Sequence, residues 1–382
     1  MRVYLDNAAT SFPKPNEVYS SVLNYMTNIG SNPGRGGYTN AIEGNKIVLN
    51  CRESLMNLFN FNKPENVIFT SNITHSLNLL LKSSIKDGWH IITSSMEHNA
   101  VIRPLTSLQK QKNIEVDILP CSPLGIIDIN LFKKSIKSNT KLVVMSNASN
   151  IIGAIQPLEE IGKICKDNNI FFIIDSAQTA GLIEMDFNKL NCNALAFTGH
   201  KGLMAPQGIG GFIIDDTFNE QCSSFIEGGT GSISDSIIQP NFLPDKFESG
   251  TLNAPAICGL LEGVKYINKL GIDYISEKET SLTNRAINGL LNISGITVYA
   301  HDDSVPRCPV ISFNSNKIDN SELGYLLDSK YGIMCRTGLH CAPLAHKTIG
   351  TFPQGTIRVS FNIFNENNDI DYFLDSLNKI VS

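Results

Sequence analysis

One lysine stands out as a candidate for chemistry because it lies between two buried strands. Residues 198–202 read TGHKG, and Lys201 falls between apolar runs at 194–197 and 208–214 that are typical of strands in a covered sheet. A lysine in that place either extends its ammonium group to solvent or is held in a pocket, where its pKa falls and its amine becomes a nucleophile. The first role is the commoner one for an isolated lysine, so the neighbouring residues must decide.

A carboxylate follows the apolar run that precedes this lysine. Asp175 ends the run IFFII, and a charge at the end of a buried strand needs a cation or a donor, unless it caps a helix that starts at Ser176. Together with Lys201 it suits pyridoxal phosphate, which needs a lysine for its aldehyde and an acid for its pyridine nitrogen. Gln178 adds an amide that suits the phenolate oxygen of the ring.

Further side chains could complete a site for this cofactor. His98 could stack on the ring and assist proton transfer, although a surface histidine before a helix is an equally good interpretation of the residue alone. The stretch SNITHS at 71–76 follows a strand and opens a helix, whose first N–H groups can bind a phosphate. The candidate phosphate ligands are Ile73, Thr74, Thr198 and His200. Thr74 by itself would only be a helix cap.

These residues lie in a pattern of alternating strands and helices. From residue 66 to 214, β-rich runs alternate with amphipathic stretches, which predicts an α/β fold with a mainly parallel central sheet and helices on both faces. Residues 216–255 are rich in Gly, Pro and Ser and predict a long functional loop. We expect an N-terminal segment, a large cofactor-binding α/β domain and a smaller C-terminal α+β domain, with bounds 1–15, 16–255 and 256–382.

The charge, the apolar runs and the cysteine spacing argue against nucleic acid, a membrane or a metal ion as a partner. The chain has 382 residues and a formal net charge of −5, and its basic residues are scattered, so we expect no nucleic acid partner. No apolar run approaches the roughly 20 residues that span a bilayer, and the first residues lack the features of a leader peptide, so we expect a cytoplasmic protein without membrane contact. The nine cysteines have no zinc-ligand spacing, and we expect neither a metal site nor a disulfide framework.

At this point the sequence resembles a known family, that of the cysteine desulfurases and selenocysteine lyases, which are class V aminotransferases among the fold type I pyridoxal phosphate enzymes. The resemblance covers nearly the whole chain, and the blocks DSAQ, TGHKG and RTGLHCAP are highly specific. The matching stretches are YLDNAATSFPKP (4–15), NPGRGGYT (32–39), FTSNITHSLNLL (69–80), MEHNAVIRP (96–104), SNIIGAIQPLEEI (149–161), IIDSAQTAGL (173–182), FTGHKGLMAPQGIG (197–210), FESGTLNAPAICG (247–259), RTGLHCAPLAHKTIGT (336–351) and IRVSF (357–361).

The resemblance implies a role for each matching residue. Lys201 would form the Schiff base, Asp175 would pair with the pyridinium, Gln178 would bind the phenolate oxygen and His98 would stack on the ring. Thr74, Thr198 and His200 would hold the phosphate together with Thr251 of a partner subunit, which implies a homodimer. Asn150 and Arg358 would bind the substrate carboxylate, Arg358 through a bidentate pair. The remaining substrate-site residues are Ala8, Arg35 and Arg336.

Cys341 determines which reaction the resemblance implies. Its thiolate would attack the sulfur of cofactor-bound L-cysteine, keep that sulfur as a persulfide and leave alanine. A free thiol is mostly protonated at neutral pH, so Arg336, His340 or the substrate must assist. The sequence around Cys341 resembles the group with a short, structured cysteine loop, whose activity is often enhanced by a sulfur-acceptor protein. Selenocysteine is an equally suitable substrate by these residues.

The sequence also departs from the family at three places and leaves other functions open. Ile73, Gly34 and Leu339 stand where relatives commonly have a threonine and two histidines, which puts substrate preference and acceptor in doubt. A C–S lyase or an aminotransferase of the same fold would use Lys201 without a thiol nucleophile. A non-catalytic sulfur carrier is disfavoured because it would have no need of Lys201, Asp175, His98 and Arg358 together.

Overall fold

The computed structural model describes residues 2–34 and 36–382, and within them the chain forms strands β1–β13 and helices α1–α12. The strands are β1 (Val3–Tyr4), β2 (Val67–Thr70), β3 (His90–Ser94), β4 (Glu115–Leu119), β5 (Thr140–Ser146), β6 (Phe171–Asp175), β7 (Ala194–Thr198), β8 (Gly210–Ile214), β9 (Ile296–Val298), β10 (Val310–Ser315), β11 (Ile333–Met334), β12 (Arg336–Gly338) and β13 (Thr356–Ser360). The helices are α1 (Asn16–Asn24), α2 (Thr39–Leu58), α3 (Ile73–Ser84), α4 (Asn99–Gln111), α5 (Ile129–Lys134), α6 (Leu158–Asp167), α7 (Asp216–Gln221), α8 (Ala254–Leu270), α9 (Ile272–Leu291), α10 (Asn320–Tyr331), α11 (Pro343–Thr348) and α12 (Asn367–Val381). A π-helical turn at Tyr25–Ile29 and a 3₁₀ turn at Pro64–Asn66 complete the elements.

A seven-stranded sheet forms the centre of the molecule. Its strand order is β2-β8-β7-β6-β5-β3-β4, and β3 to β7 run parallel whereas β8 is antiparallel to both of its neighbours. The apolar side chains of its strands pack into two buried clusters, as expected for a sheet covered on both faces. The predicted α/β class with a mainly parallel sheet is therefore confirmed.

The parallel strands bring the candidate residues to one edge of this sheet. Asp175 ends β6 and is the cross-strand partner of Ser146 in β5 and of Ala196 in β7. Thr198 ends β7, and Lys201 follows three residues later. Carboxyl ends of parallel strands are the usual location of ligands in open α/β sheets, and the chemistry expected from the sequence falls there.

A second sheet follows in the C-terminal part of the chain. It is four-stranded and antiparallel, with order β12-β13-β10-β9, and a separate apolar cluster of strand and helix residues fills its core. This agrees with the smaller α+β unit expected from the sequence, although the domain bounds at residues 15 and 255 remain a prediction. Arg358 lies on β13, so this sheet carries part of the candidate site.

The N-terminal segment contacts the second sheet and the lysine loop. Strand β1 pairs in parallel with β11, through Val3 and Ile333, in a separate two-stranded sheet, and Asp6 forms a bridge with Ser360 of β13 in the second sheet. Further along, the Ser11 N–H donates to the His200 carbonyl at 2.9 Å, and the Ser11 hydroxyl donates to the Lys201 carbonyl at 2.9 Å. The segment predicted at residues 1–15 therefore links the second sheet to the lysine loop.

The predicted loop at 216–255 begins with helix α7 and is otherwise irregular up to α8. Ile237 and Ile238 are largely exposed in it, and Phe225 and Phe242 are about half exposed, so the segment presents an unusual amount of apolar surface. Within the described part of the chain, no helix is both long and apolar enough to cross a membrane.

Candidate active site

The lysine loop packs tightly against the turn that follows β6. A Cβ atom on Gly202 would lie 2.4 Å from the Ala180 carbonyl oxygen, and one on Gly199 would lie 2.9 Å from the Ala205 side chain. Both positions therefore require glycine for close backbone approach. Gly202 thus allows the lysine loop to approach the turn after β6, and Gly199 allows the loop to fold closely on itself.

Lys201 has the electrostatic environment of a nucleophilic amine. Burial lowers the pKa of its ammonium group to about 8, and the nearby positive charges of Arg358 and Arg336 act in the same direction, whereas Asp175 and Asp6 oppose them. A lower pKa gives a larger fraction of free amine at neutral pH. The pocket role considered for this lysine is therefore the one that the fold favours over the solvent-exposed role.

Asp175 is a buried carboxylate and not a helix cap. Only 3% of the residue is exposed, and its Oδ1 accepts a hydrogen bond from the Ala177 N–H at 2.9 Å. The following residues form turns, so the alternative that Asp175 caps a helix from Ser176 is wrong. Burial raises the pKa of Asp175, and the Ala177 N–H and the charge of Lys201 oppose that rise. The carboxylate and the lysine thus influence one another directly.

His98 caps a helix, as the alternative interpretation expected, and its role in stacking on a cofactor ring stays a prediction. It caps α4, because its Nδ1 accepts from the Ala100 N–H at 3.0 Å, which leaves the proton of the neutral ring on Nε2. Burial lowers the pKa of His98 to about 4, and the positive charges of Lys201, Arg336 and other basic groups add to this effect. The ring is therefore neutral at physiological pH and lies within electrostatic reach of Lys201.

The first turn of α3 offers free backbone donors. The helix begins at Ile73, and its cap is Asn72, whose Oδ1 accepts from the His75 N–H at 3.0 Å. Thr74 is therefore not the cap, contrary to the simplest interpretation of that residue. The N–H groups of Ile73 and Thr74 lie in the first turn, where an α-helix has no internal acceptors and attracts anions.

Two side chains at the end of β7 carry buried polar atoms that need a partner. Within the described residues, neither the Thr198 hydroxyl nor the His200 Nδ1 has a hydrogen-bond partner. Buried polar atoms are almost always paired, so an unpaired set at one position indicates a ligand. Burial lowers the pKa of His200 to about 4, with Lys201 and Lys14 contributing, so this ring is also neutral.

The residues expected to bind a carboxylate form a connected group. Arg358 is 1% exposed, its Nη2 donates to Asp6 Oδ1 at 2.6 Å, and its Nη1 donates to the Asn150 carbonyl at 3.1 Å. The side-chain amide of Asn150 donates to the His340 carbonyl at 2.8 Å. Among the described residues, Arg358 Nε and Asn150 Oδ1 have no partner, so both retain capacity for a ligand.

The remaining candidate residues differ in how close the structure places them to Lys201 and Arg358. Gln178 donates to the Ala8 carbonyl at 3.2 Å, and both residues line a small cavity with Lys201. Arg336 begins β12 and influences Lys201 electrostatically. Thr251 is exposed just before α8, and Arg35 lies outside the described residues.

Cys341 is presented on a short, constrained segment. His340 and Cys341 have φ angles of 47° and 59°, in the left-handed region that residues other than glycine rarely adopt. The Cys341 carbonyl accepts from the Asn99 N–H at 2.8 Å, next to His98. A cavity of about 370 Å³ is lined by Cys341 together with His98 and Thr74, so the thiol shares a space with the candidate cofactor residues.

Sequence reasoning missed several contributors. Asp6 binds Arg358 across 352 positions of the chain, and no local pattern reveals such a pair. Asn99 contributes through its backbone N–H, which no side-chain argument would identify. Glu97 is 1% exposed next to His98, and a carboxylate directly before a candidate ring-stacking residue was a signal that could have been used.

A group with metal-ligand chemistry lies at the opposite ends of the strands. His90, Glu115 and Asp117 cluster at the beginnings of β3 and β4. The Lys137 ammonium lies 3.0 Å from Asp117 Oδ2 and also pairs with Glu115, so a positive charge already balances the carboxylates. The expectation of no metal site remains a prediction.

Known proteins with the same organisation match almost the entire chain. The model of the aminotransferase class-V family matches residues 3–373. A probable cysteine desulfurase of Borreliella burgdorferi is 32% identical over 99% of this chain and 92% of its own length, and one of Pyrococcus abyssi is 33% identical over 99% and 94%. An apo structure of a cysteine desulfurase from Thermococcus onnurineus NA1 has a TM-score of 0.94 at 30% identity, covering 100% of this chain and 94% of that one.

Proposed function

Because the chain belongs to the class V aminotransferase family, with the fold type I architecture of its pyridoxal phosphate enzymes, we propose that it is a cysteine desulfurase that converts L-cysteine to L-alanine. The observation that carries the proposal is the position of Cys341. All nine cysteines lie within the described residues, and among them Cys341 alone is exposed, in the cavity that it shares with His98 and Thr74. The named cysteine desulfurases among its relatives support the same reaction.

The residues at the sheet edge fit pyridoxal phosphate. Lys201 would hold the aldehyde, Asp175 the pyridine nitrogen and His98 one ring face, while the unpartnered Thr198 hydroxyl and His200 Nδ1 would meet the phosphate. When bound, the cofactor supplies an electron sink for the bonds at the substrate α-carbon. Ile73, Thr74 and Thr251 would also bind the cofactor phosphate, and Gln178 would bind the phenolate oxygen of the ring.

The basic groups would bind and deprotonate the substrate. Arg358 Nε and the Asn150 amide oxygen have no partner among the described residues, and Arg358 can grip the substrate carboxylate through a bidentate pair. Lys201, whose pKa is lowered to about 8, can accept the α-proton as a free amine. We place Ala8, Arg35 and Arg336 in the same substrate site.

Cys341 would receive the sulfur. Its thiolate attacks the sulfur of L-cysteine, an S–S bond forms, and the C–S bond breaks with its electron pair going to the former β-carbon. Protonation of that carbon gives alanine, and Cys341 keeps the sulfur as a persulfide. The step needs no external oxidant, and the same residues would serve L-selenocysteine.

The proposal also covers the oligomeric state of the enzyme, its sulfur-acceptor partner and its location in the cell. A homodimer would bring Thr251 to the partner's phosphate site, and the exposed apolar side chains at 225–242 would be covered by such an interface. An exposed Cys341 would allow an acceptor protein to collect the sulfur. We also propose a cytoplasmic location.

The test compares wild-type protein with Cys341→Ser, both loaded with pyridoxal phosphate and given L-cysteine without oxygen. We expect the variant to keep the cofactor, because Lys201 and Asp175 are untouched, and to lose nearly all alanine formation, because a hydroxyl cannot accept sulfur as a persulfide. Cys335→Ser, a half-buried cysteine of the same region, is the matched control and should retain activity. Full alanine production by Cys341→Ser would contradict the proposal, and pyruvate with ammonia as products would identify a C–S lyase.

A further inference from the structure

Glu97 is a buried acid to which the proposed reaction assigns no role. It is 1% exposed and lies between β3 and α4, directly before His98. Its Oε1 accepts from the Ser94 hydroxyl at 2.6 Å, and its Oε2 accepts from the Ser146 N–H at 2.9 Å and lies 2.7 Å from the Ser146 hydroxyl oxygen. Such complete pairing fixes the carboxyl group rigidly against the end of β5.

Ser146 connects this acid to Asp175. Ser146 ends β5 and is the cross-strand partner of Asp175 in β6, and the Asn147 N–H donates to the Asp175 carbonyl at 2.9 Å. The Ser146 hydroxyl donates to Glu97 Oε2 in this structure, and it also lies near enough to the Asp175 carboxylate to lower the pKa of Asp175 against the effect of burial. Ser146 therefore lies between two carboxyl groups, Glu97 and Asp175.

A hydroxyl group has a single proton and can donate to one carboxylate at a time. If Glu97 is ionised, it competes with Asp175 for the Ser146 proton. If Glu97 is protonated, its Oε2 can accept the Ser146 N–H and donate to the Ser146 oxygen, which leaves the Ser146 proton for Asp175. The protonation state of Glu97 thus decides whether the Ser146 hydroxyl donates its hydrogen bond to Glu97 or to Asp175.

The surroundings favour the protonated form up to about neutral pH. Burial raises the pKa of Glu97 to about 7, and the negative charge of Asp175 adds to the rise, whereas the Ser94 and Ser146 hydrogen bonds oppose it. The Cys121 thiol also faces Glu97, and burial raises the pKa of this thiol to about 11, so it carries no charge. Lys201 faces Asp175, and the neutral His98 ring follows Glu97 in the chain.

We propose that Glu97 is a positioning residue: in its protonated form it directs the Ser146 hydroxyl to Asp175 and so keeps Asp175 ionised opposite the pyridine nitrogen of the cofactor. The inference rests on the proposed function, in which Asp175 pairs with that nitrogen. Ionisation of Glu97 removes the donor from Asp175, which makes Asp175 a stronger base and moves the shared proton from the ring nitrogen toward the carboxylate.

The first experiment detects the Glu97 proton without the cofactor. Infrared difference spectra of the cofactor-free protein, recorded below and above pH 7, should contain the C=O band of a protonated carboxylic acid that disappears as pH rises. We expect Glu97→Gln to lack this band. Glu279→Gln is the matched control, because Glu279 is also buried, and burial raises its pKa to about 8, but it lies on α9. A wild-type spectrum without any band that depends on Glu97 would overturn the proposal.

The second experiment follows the ring nitrogen itself, in protein loaded with ¹⁵N-labelled pyridoxal phosphate. We expect the wild-type ¹⁵N chemical shift to change near the pKa of Glu97, about 7. Glu97→Gln should hold the shift at the wild-type low-pH value, since Ser146 then has Asp175 as its only anionic acceptor. Ser146→Ala should stay near the high-pH value, and Glu279→Gln should behave as wild type. An unchanged transition in Glu97→Gln would overturn the proposal.

Failure of this inference can be told apart from failure of the proposed function. If Asp175 does not pair with the ring, Asp175→Asn will leave the ¹⁵N shift of the bound cofactor unchanged, which contradicts the proposed role of Asp175. If Asp175→Asn changes the shift but Glu97→Gln and Ser146→Ala do not, the cofactor assignment stands and the role of Glu97 is wrong.

Discussion

The lysine end of the site and the cysteine end are held in different ways. Asp175 and Thr198 are buried at the ends of neighbouring strands, with hydrogen-bonded strands on either side. Cys341 is exposed, and its position depends on the Asn99 N–H bond to its carbonyl and on two bonds of His340, one from Asn150 and one to the Thr356 carbonyl.

The rigid, buried end holds the groups that would bind the cofactor, and the exposed end holds the cysteine that would pass sulfur to an acceptor. The buried end keeps ionisable groups away from water, where their pKa values shift and their interactions strengthen. The exposed end holds two consecutive left-handed residues, at a cost of roughly 1–2 kcal/mol each, which only surrounding contacts can maintain. We therefore expect loss of either reacting group, the Lys201 amine or the Cys341 thiol, to abolish the reaction, and loss of a residue that only positions Cys341 to reduce it.

The largest effect should follow from Lys201→Ala. Removal of the amine takes away both the covalent anchor and the proton acceptor, so alanine formation should fall by roughly 10²–10⁴-fold or more. Lys14→Ala is a matched control, because burial also lowers the pKa of Lys14 to about 8, while its ammonium donates to Ser11 and to the His200 carbonyl. Borohydride reduction and peptide mapping should place the cofactor on Lys201. A reduced cofactor on Lys14 would refute the assignment.

A mixed-dimer experiment tests whether Thr251 of one subunit completes the phosphate site of the other. Thr251→Ala should weaken cofactor binding by roughly 10- to 100-fold, since a hydrogen bond to a charged phosphate is lost. In heterodimers of Thr251→Ala with Lys201→Ala, both defects should fall in one site and leave the other intact, so activity should return. Heterodimers that form but stay inactive would show that Thr251 acts in the phosphate site of its own subunit.

A smaller effect is expected when the cysteine end is loosened. Asn150→Ala removes the amide that donates to the His340 carbonyl at 2.8 Å and should reduce alanine formation by roughly 10-fold or more, because a displaced thiol attacks less often and the proposed contact with the substrate carboxylate is also lost. The control is Asn66→Ala, which removes a similar buried amide that donates to the Ile214 carbonyl at 2.7 Å. An equal loss of activity in both variants, at equal stability, would argue against the positioning role of Asn150.

The smallest effect concerns stability and pH in the cofactor-free protein. Lys201 has a folded-state pKa of about 8, below its ordinary value of 10.5, so between these values the unfolded chain binds more protons and stability rises with pH. Below pH 8 the buried charge destabilises the fold by about 1 kcal/mol, allowing for partial exposure. Lys201→Met should therefore be more stable than wild type at pH 7. Denaturant unfolding at pH 7 and 10 should show that this advantage shrinks, and a constant difference would contradict the depressed pKa.

Much of the buried end could be predicted from the sequence. Apolar runs identified β6 and β7, and the carboxyl ends of parallel strands lie at one edge of the sheet, which was enough to place Asp175 near Lys201. The turn after Asp175 was not predictable in the same way, since Ser176 to Ala180 could equally well have begun a helix.

The cysteine end could be recognised only by its resemblance to a family. Nothing local indicates that His340 and Cys341 adopt left-handed backbones, because neither is glycine. Their conformation depends on acceptors and donors from α4, from the loop after β5 and from β13, which are remote in sequence. The Asp6–Arg358 pair is another tertiary contact that periodicity cannot reveal.

The most direct measurement is the location of sulfur after the protein meets its substrate. Wild-type enzyme loaded with pyridoxal phosphate should be mixed with L-cysteine in the absence of oxygen and reductant, and analysed by intact mass and then by peptide mass spectrometry. We predict the gain of one reducible sulfur atom on Cys341, with none on the half-buried Cys121 and Cys335. Sulfur on either of those cysteines with Cys341 unmodified, or alanine formation without any protein-bound sulfur, would contradict the account.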